Sequence, residues 1–201
     1  MSIPYEQTGR TRQKARTRNA LVAAARELMA SGTTPTVEHA ADAADVARAT
    51  AYRYVPSQRA LLVATYPEIA EPSLLDEPDL ADPVERLDAV AESITRQMVD
   101  HEPELRAMLR LSLAPDPPDP GELPLRQGRR IGWVADALAP LQGDLPAREL
   151  DLLVKSIAAV LGIEVLVWYT DIAGLTRPQA VKLMRRSART LLESALREGP
   201  G

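Results

Sequence analysis

The chain has 201 residues, enough for one large domain or a small domain joined to a medium one. Its hydrophobic content of 45% is ordinary for a folded protein, and its longest apolar run, Ile157–Ile163, is far too short for a membrane span. Cysteine is absent, which excludes disulfides, thiolate metal sites and cysteine nucleophiles, and the net charge of −4 conceals a basic end on an acidic body. Up to Tyr66 nine arginines and lysines face five acids, a net +4, which leaves −8 for the rest. A basic end attracts phosphate, whereas an acidic body repels it. The opening residues lack the apolar core of a secretory signal, so a cytoplasmic location is the simplest expectation.

Nothing alternates in the manner of a strand, and Ala, Leu, Arg and Glu dominate, so the chain reads as all-α. A basic arm covers about 1–16. The first helix is expected over Thr17–Ala30, with an apolar stripe of Ala20, Leu21, Ala24, Ala25, Leu28 and Met29 and a stop at Ser31-Gly32. Short helices follow at Val37–Ala44 and Ala47–Val55, then one capped by Ser57 that runs toward Tyr66. The acidic, proline-rich stretch Pro67–Pro83 is a hinge. Beyond it helices are expected at Val84–His101, Pro103–Leu113, Leu125–Leu141, Ala147–Thr170 and Pro178–Arg197. Ala114–Pro124 is a loop whose prolines read as a surface connection, with a polyproline ligand as the rarer reading.

The informative stretch is Thr36–Val55. Thr36 is a good N-cap and Glu38 suits the first turn of its helix. Val37, Ala40, Ala41 and Ala44 face inward, Asp45-Val46 makes the turn, and a second helix follows with Ala51 and Val55 inward. This is the spacing of a helix-turn-helix. The other positions of the second helix are Arg48, Ala49, Thr50, Tyr52, Arg53 and Tyr54. Two of the chain's five tyrosines fall here, although it has no phenylalanine. Arginine, threonine and tyrosine meet base edges and phosphates. From the residues alone, a plain surface helix with half-packed tyrosines remains an equal alternative.

The block Thr11–Leu62, and above all TVEHAADAADVARATAYRYVPSQRALL from Thr36 to Leu62, resembles the DNA-binding domain of the tetracycline-repressor (TetR) family. The resemblance implies a three-helix helix-turn-helix domain at 1–66. A larger helical ligand-binding and dimerisation domain would follow at 67–201, about nine helices in all. It implies DNA contacts through Thr36, Arg48, Ala49, Thr50, Tyr52, Arg53, Tyr54 and Gln58. Tyr52 and Tyr54 would hold phosphates, and Arg48 and then Arg53 would read bases. The sequence departs from the family pattern: Ala40 and Ala51 are small, Val55 is not aromatic, Asp45 stands where glycine is usual, Ala47 replaces a capping hydroxyl, and Gln58 replaces a lysine. These departures imply a thin core and a recognition unit that orders on binding.

In the body, Leu150, Leu153, Val154, Ile157, Leu161, Val165 and Trp168 form one helical stripe. Val181, Met184, Ala188, Leu191, Leu192 and Ala195 form another, and Ala158, Ala159 and Gly162 would admit a close helix. The segments Gly128–Pro140 and Gly162–Leu196 also look like such regulators. The expected homodimer interface is Leu150, Val154, Ile157, Leu161, Met184, Ala188 and Leu191. The resemblance implies a small-molecule pocket, with Met98, Met108, Trp133, Trp168 and Tyr169 as lining candidates, although ordinary core or dimer packing is the favoured reading for each residue taken singly. No G-x-S-x-G, glycine-rich phosphate loop or H-E-x-x-H occurs, and His39 and His101 sit on separate helices. No enzyme activity, metal or cofactor is expected. The expected function is a ligand-responsive repressor on a palindromic DNA operator. The alternatives are an activator of the same family or a helical dimeric adaptor without DNA binding. The operator, the regulated genes and the effector are not encoded in any readable motif.

If the arm lies along phosphates, deleting residues 1–15 will flatten the dependence of log affinity on log salt by about 0.9 for each phosphate that the arm neutralises. An unchanged slope in a salt-series titration would leave the arm as a solvated extension.

Overall fold

The computed structural model describes residues 5–67, 71–75, 80–113 and 128–198, apart from the side chains of 5–12 and 198. The helices are α1 (Tyr5–Ala30), α2 (Val37–Ala43), α3 (Arg48–Tyr54), α4 (Gln58–Thr65), α5 (Pro83–Asp100), α6 (Glu102–Ser112), α7 (Arg129–Ala137), α8 (Ala147–Val160), α9 (Ile163–Val167) and α10 (Arg177–Glu198). A short 3-10 turn, Ala139–Leu141, follows α7, and a π-helical turn, Trp168–Ile172, follows α9. The described residues contain no strand, and the fold is all-α with close to the helix number expected. The loop expected at Ala114–Pro124 and the start expected at Leu125 lie outside the described residues. No helix among the described residues is long and apolar enough to cross a membrane.

Two boundaries differ from the sequence reading. The first helix begins at Tyr5 rather than Thr17, so most of the basic arm is continuous with α1. The long helix expected over Ala147–Thr170 breaks at Leu161-Gly162, where Gly162 adopts an extended backbone. A side chain at Gly162 would collide with the Glu164 carboxylate and meet the Ala159 carbonyl at 3.1 Å and the Arg130 guanidinium at 3.3 Å, so glycine leaves room for the Glu164 and Arg130 side chains. Arg130 Nη1 donates to the Leu161 carbonyl at 3.3 Å, which satisfies a group left open by the end of α8.

The chain divides into two compact units, one of them built on α1–α4 and ending at Ala70, the other beginning at Glu71; the residues of α6 from Arg110 group with the first. In the first unit α1 packs against α2, α3 and α4. Its core is Leu21, Ala25, Val37, Ala40, Ala41, Ala51, Val55 and Leu61. Gly32 ends α1 in the left-handed region (φ 91°), with Thr33 N–H bonded to the Leu28 carbonyl at 2.9 Å. Arg26 of α1 donates to the Thr65 carbonyl at 3.0 Å, and its guanidinium lies over the Tyr66 ring.

In the second unit α5, α7, α8 and α10 enclose a core that runs from Leu87 and Val90 through Val134 and Ile157 to Met184 and Leu192. Arg86 is buried, and its guanidinium donates to the carbonyls of Ala137 (3.0 Å), Asp136 (2.8 Å) and Leu80 (2.9 Å). These bonds satisfy the open end of α7 and fasten α5 to it. A second arginine network joins α6 to the start of α10. Arg106 donates to Glu102, to Thr170 and, through both terminal nitrogens, to Asp171 at 2.6 and 2.8 Å; Arg177 also grips the buried Glu102. Burial pushes the Glu102 carboxyl up, but the hydrogen bonds from Arg177 and Arg106 outweigh it and hold the group below its usual range.

Five of the seven expected dimer residues, Val154, Ile157, Leu161, Met184 and Ala188, lie at 0–5% exposure in the chain's own core. A residue with no remaining surface cannot bury more against a partner, so those five are corrected to protomer core. Leu150 and Leu191 are half-buried. The exposed large apolar side chains near the same helices are Leu152, Leu183 and Leu196, together with Trp168 and Ile172 on the π-helical turn. Met98 and Met108 are buried, Trp133 and Tyr169 half-buried, and Trp168 is 52% exposed, so the five expected ligand residues do not share one environment. Trp133 Nε1 donates to the Glu71 carbonyl at 2.9 Å, and Trp168 packs edge-on against Tyr169.

The hydrogen bonds from Arg106 lower the Asp171 carboxyl from 3.8 to about 2. A depressed carboxyl stabilises the fold above its ordinary value, and that contribution disappears as pH falls from 3.8 toward about 2. In denaturant melts over this acid range, Asp171→Asn will lose less stability than the parent chain. Parallel curves for the two proteins would show that the pair contributes nothing.

Candidate nucleic-acid interface

The helix-turn-helix is formed as its residues demand. Thr36 has extended backbone and its hydroxyl accepts from His39 N–H at 3.1 Å, capping α2. At the other end of α2, Asp45 takes the left-handed conformation (φ 52°). Val46 N–H reaches back to the Ala41 carbonyl at 2.9 Å, and Asp45 N–H to that of Asp42 at 3.3 Å. This double closure is a Schellman motif, and half-buried Val46 packs on the core as the motif favours. Aspartate thus does at this turn what glycine does at Gly32, at a steric cost that glycine avoids. Ala47 precedes α3 without any side-chain cap, as its identity predicts.

Because Ala51 and Val55 are buried, with 0% and 1% exposure, α3 has a fixed inner side. Arg48, Ala49, Tyr52 and Arg53 are exposed, while Thr50 and Tyr54 are half-buried. Positions 48, 49, 52 and 53 lie one turn apart, so they share a face. Gln58 of α4 is exposed, but its amide donates to the Pro35 carbonyl at 3.1 Å and fastens α4 to the segment before α2. The second N–H of that amide is left for the expected phosphate contact. His39 is exposed, as expected.

The side chains of α3 are not idle. Arg48 grips Asp42 with Nη2–Oδ2 at 2.9 Å and Nε–Oδ1 at 3.4 Å. Both partners are largely exposed, at 64% and 59%. The Tyr52 hydroxyl donates to the Glu38 carboxylate. This bond holds Glu38 below its usual range and pushes the Tyr52 phenol above 10.0. The hydrogen bonds that Arg48 donates to Asp42, and the carboxylate's charge, keep Arg48 more firmly protonated still. The Arg53 guanidinium lies 5.2 Å from the centre of the Tyr54 ring. The sequence reading assigned Glu38 only a dipole role and Asp42 none. The signal was the Schellman turn, which folds α2 and α3 so that positions 42 and 48, and 38 and 52, meet.

Beside this face lies an open crevice of about 450 Å³, lined by Arg18 of α1, Tyr54, Ser57 and Arg59, with Val55 and Val63 below. Lys14 and Arg16 are exposed on the same first helix. Among the described residues no group of three or more potential metal ligands occurs. Comparison with protein-family models and with curated proteins finds no match.

Replacing Glu38 with Gln will bring the Tyr52 phenol back toward its ordinary range. Ultraviolet titration of the tyrosines will then show one group ionising at lower pH, and Tyr52→Phe will remove that group from both curves. Coincident titrations of Glu38→Gln and the parent would mean that the bond does not persist in solution.

Proposed function

We propose that the chain is a DNA-binding transcriptional regulator of the TetR type, which reads a palindromic operator as a homodimer and responds to a small molecule. The observation that carries the reading is the exposed Arg48, Tyr52 and Arg53 face of α3, set on a capped α2 by a tight turn. A short helix presenting arginine and tyrosine outward, with its inner side fixed by Ala51 and Val55, suits insertion into a major groove. Thr36, Thr50 and Tyr54 flank that face, and Ala49 offers only apolar contact, which suits a thymine methyl. Arg18, Arg59 and the exposed cations of α1 supply positive charge for phosphates.

Pairing of two copies is supported by the exposed Leu152, Leu183 and Leu196 near the two long helices of the body. Two-fold pairing would bring two α3 helices to one operator, about 34–36 Å apart. A ligand that favours a dimer with a different spacing would then release the DNA. The resemblance favours repression, with activation by the same heads as the variant of it, and the cytoplasm is the simplest location for a chain without cysteine whose opening residues lack the apolar core of a secretory signal. The same exposed apolar residues also suit a second reading, a helical dimeric adaptor that binds protein only.

Selection of bound fragments from genomic DNA, followed by gel-shift titration at two salt concentrations, tests the proposal. On the selected operator, Arg48→Ala and Arg53→Ala are each expected to cost about 1–3 kcal/mol and to relax preference at one base position. Absence of any bound fragment at low salt would favour the adaptor.

A further inference from the structure

We propose that Glu38 and Asp42 act as a selectivity filter: in the free protein these two carboxylates of α2 occupy Tyr52 and Arg48 of α3, and DNA must displace them. The inference rests on the DNA-binding reading above and assigns a role to two residues outside the reading helix. Arg48 presents two nitrogens to the two oxygens of Asp42, the same forked geometry by which an arginine grips a phosphate or the O6 and N7 edge of guanine. The Tyr52 hydroxyl, a natural phosphate donor, is given instead to Glu38. Asp42 is exposed and Glu38 half-buried, so the Arg48 pair is a weak surface ion pair and the Tyr52 pair a single hydrogen bond at the surface, and both can be opened.

The consequence is asymmetric. A DNA backbone offers Arg48 a phosphate in exchange for Asp42, and the released carboxylate then stands beside a dense row of negative charge. That exchange gains little. A phosphate only replaces the fork that Asp42 gave up, whereas a matching site adds base-edge hydrogen bonds that offset the repulsion. The acids therefore penalise binding to arbitrary sequence more than binding to a matching one. By contrast Arg53 rests on the neutral Tyr54 ring and carries no such penalty.

The test measures affinity of the full chain for a duplex of random sequence over a salt series. The proteins compared are the parent, Asp42→Asn, Glu38→Gln, and Glu27→Gln as a control. Glu27 is an exposed acid on α1, so its change alters net charge equally without touching α3. The expected result is about two- to five-fold tighter binding by Asp42→Asn than by Glu27→Gln, the range expected for an exposed ion pair, and a change in the same direction for Glu38→Gln, which weakens the hydrogen bond from Tyr52. The salt slope for Asp42→Asn should steepen by about 0.9, the increment for one more neutralised phosphate. If the parent binds and Asp42→Asn binds equally, or no better than Glu27→Gln, the filter is overturned and DNA binding stands. Weaker binding by Asp42→Asn would make the carboxylate a support that aims Arg48, which also overturns the filter. Binding by none of the four proteins at any salt would overturn the filter and the DNA-binding reading together.

Discussion

The first unit depends on the left-handed turn at Asp45. A helix that ended without it would leave the carbonyls of Ala41 and Asp42 open and would let α3 leave in an arbitrary direction. The Schellman closure fixes that direction, buries part of Val46 and brings Ala51 against Ala40 and Ala41 in one small core. Alanines at these positions let the helices approach closely, while the absence of large side chains keeps the buried apolar area small. Position and thinness therefore come from the same residues. The exposed side of α3 is then partly a matter of helical periodicity: once positions 51 and 55 are inside, positions 49 and 53 lie opposite them and position 52 on the flank, whereas Arg48 shares the stripe of 51 and 55 and is exposed as the first residue of the helix.

Arginine makes the polar joints of both units. Arg86 caps the end of α7, Arg130 the end of α8, and Arg26 reaches the end of α4, in each case by donating to carbonyls that a helix terminus leaves open. Arg106 and Arg177 hold the buried Glu102, whose charge would be costly without them. Arg48 is of another kind: its partner Asp42 is exposed, so the pair adds little to stability and can exchange. Burial of the partner separates arginines that hold the fold from those available to a ligand: Glu102 is buried under Arg177, and Asp42 beside Arg48 is not.

The apolar stripes of the body illustrate the same economy. Read as periodicity, the stripe through Val154, Ile157 and Leu161 and that through Met184 and Ala188 predict one helix pair facing another. The second unit meets that demand within a single chain, through α5, α7, α8 and α10. Periodicity reports that a face is buried and not what buries it. The residues left for any partner include Leu152 and Leu183 off the stripes and Trp168 at the end of one.

By itself the sequence determined the all-helical class, the cap at Thr36, the stop at Ser31-Gly32, the turn at Asp45 and the inward and outward positions of α3. All of these are local: they follow from propensity, capping chemistry and helical period within a few residues. Tertiary structure decided what local rules cannot reach. It broke the long helix at Gly162 beside Arg130 and turned expected interface residues into core. It also joined Asp42 to Arg48 and Glu38 to Tyr52, because those pairs form only when two helices fold across a turn. The basic and aromatic face of α3 was therefore legible from the start, while the acids that hold it were not.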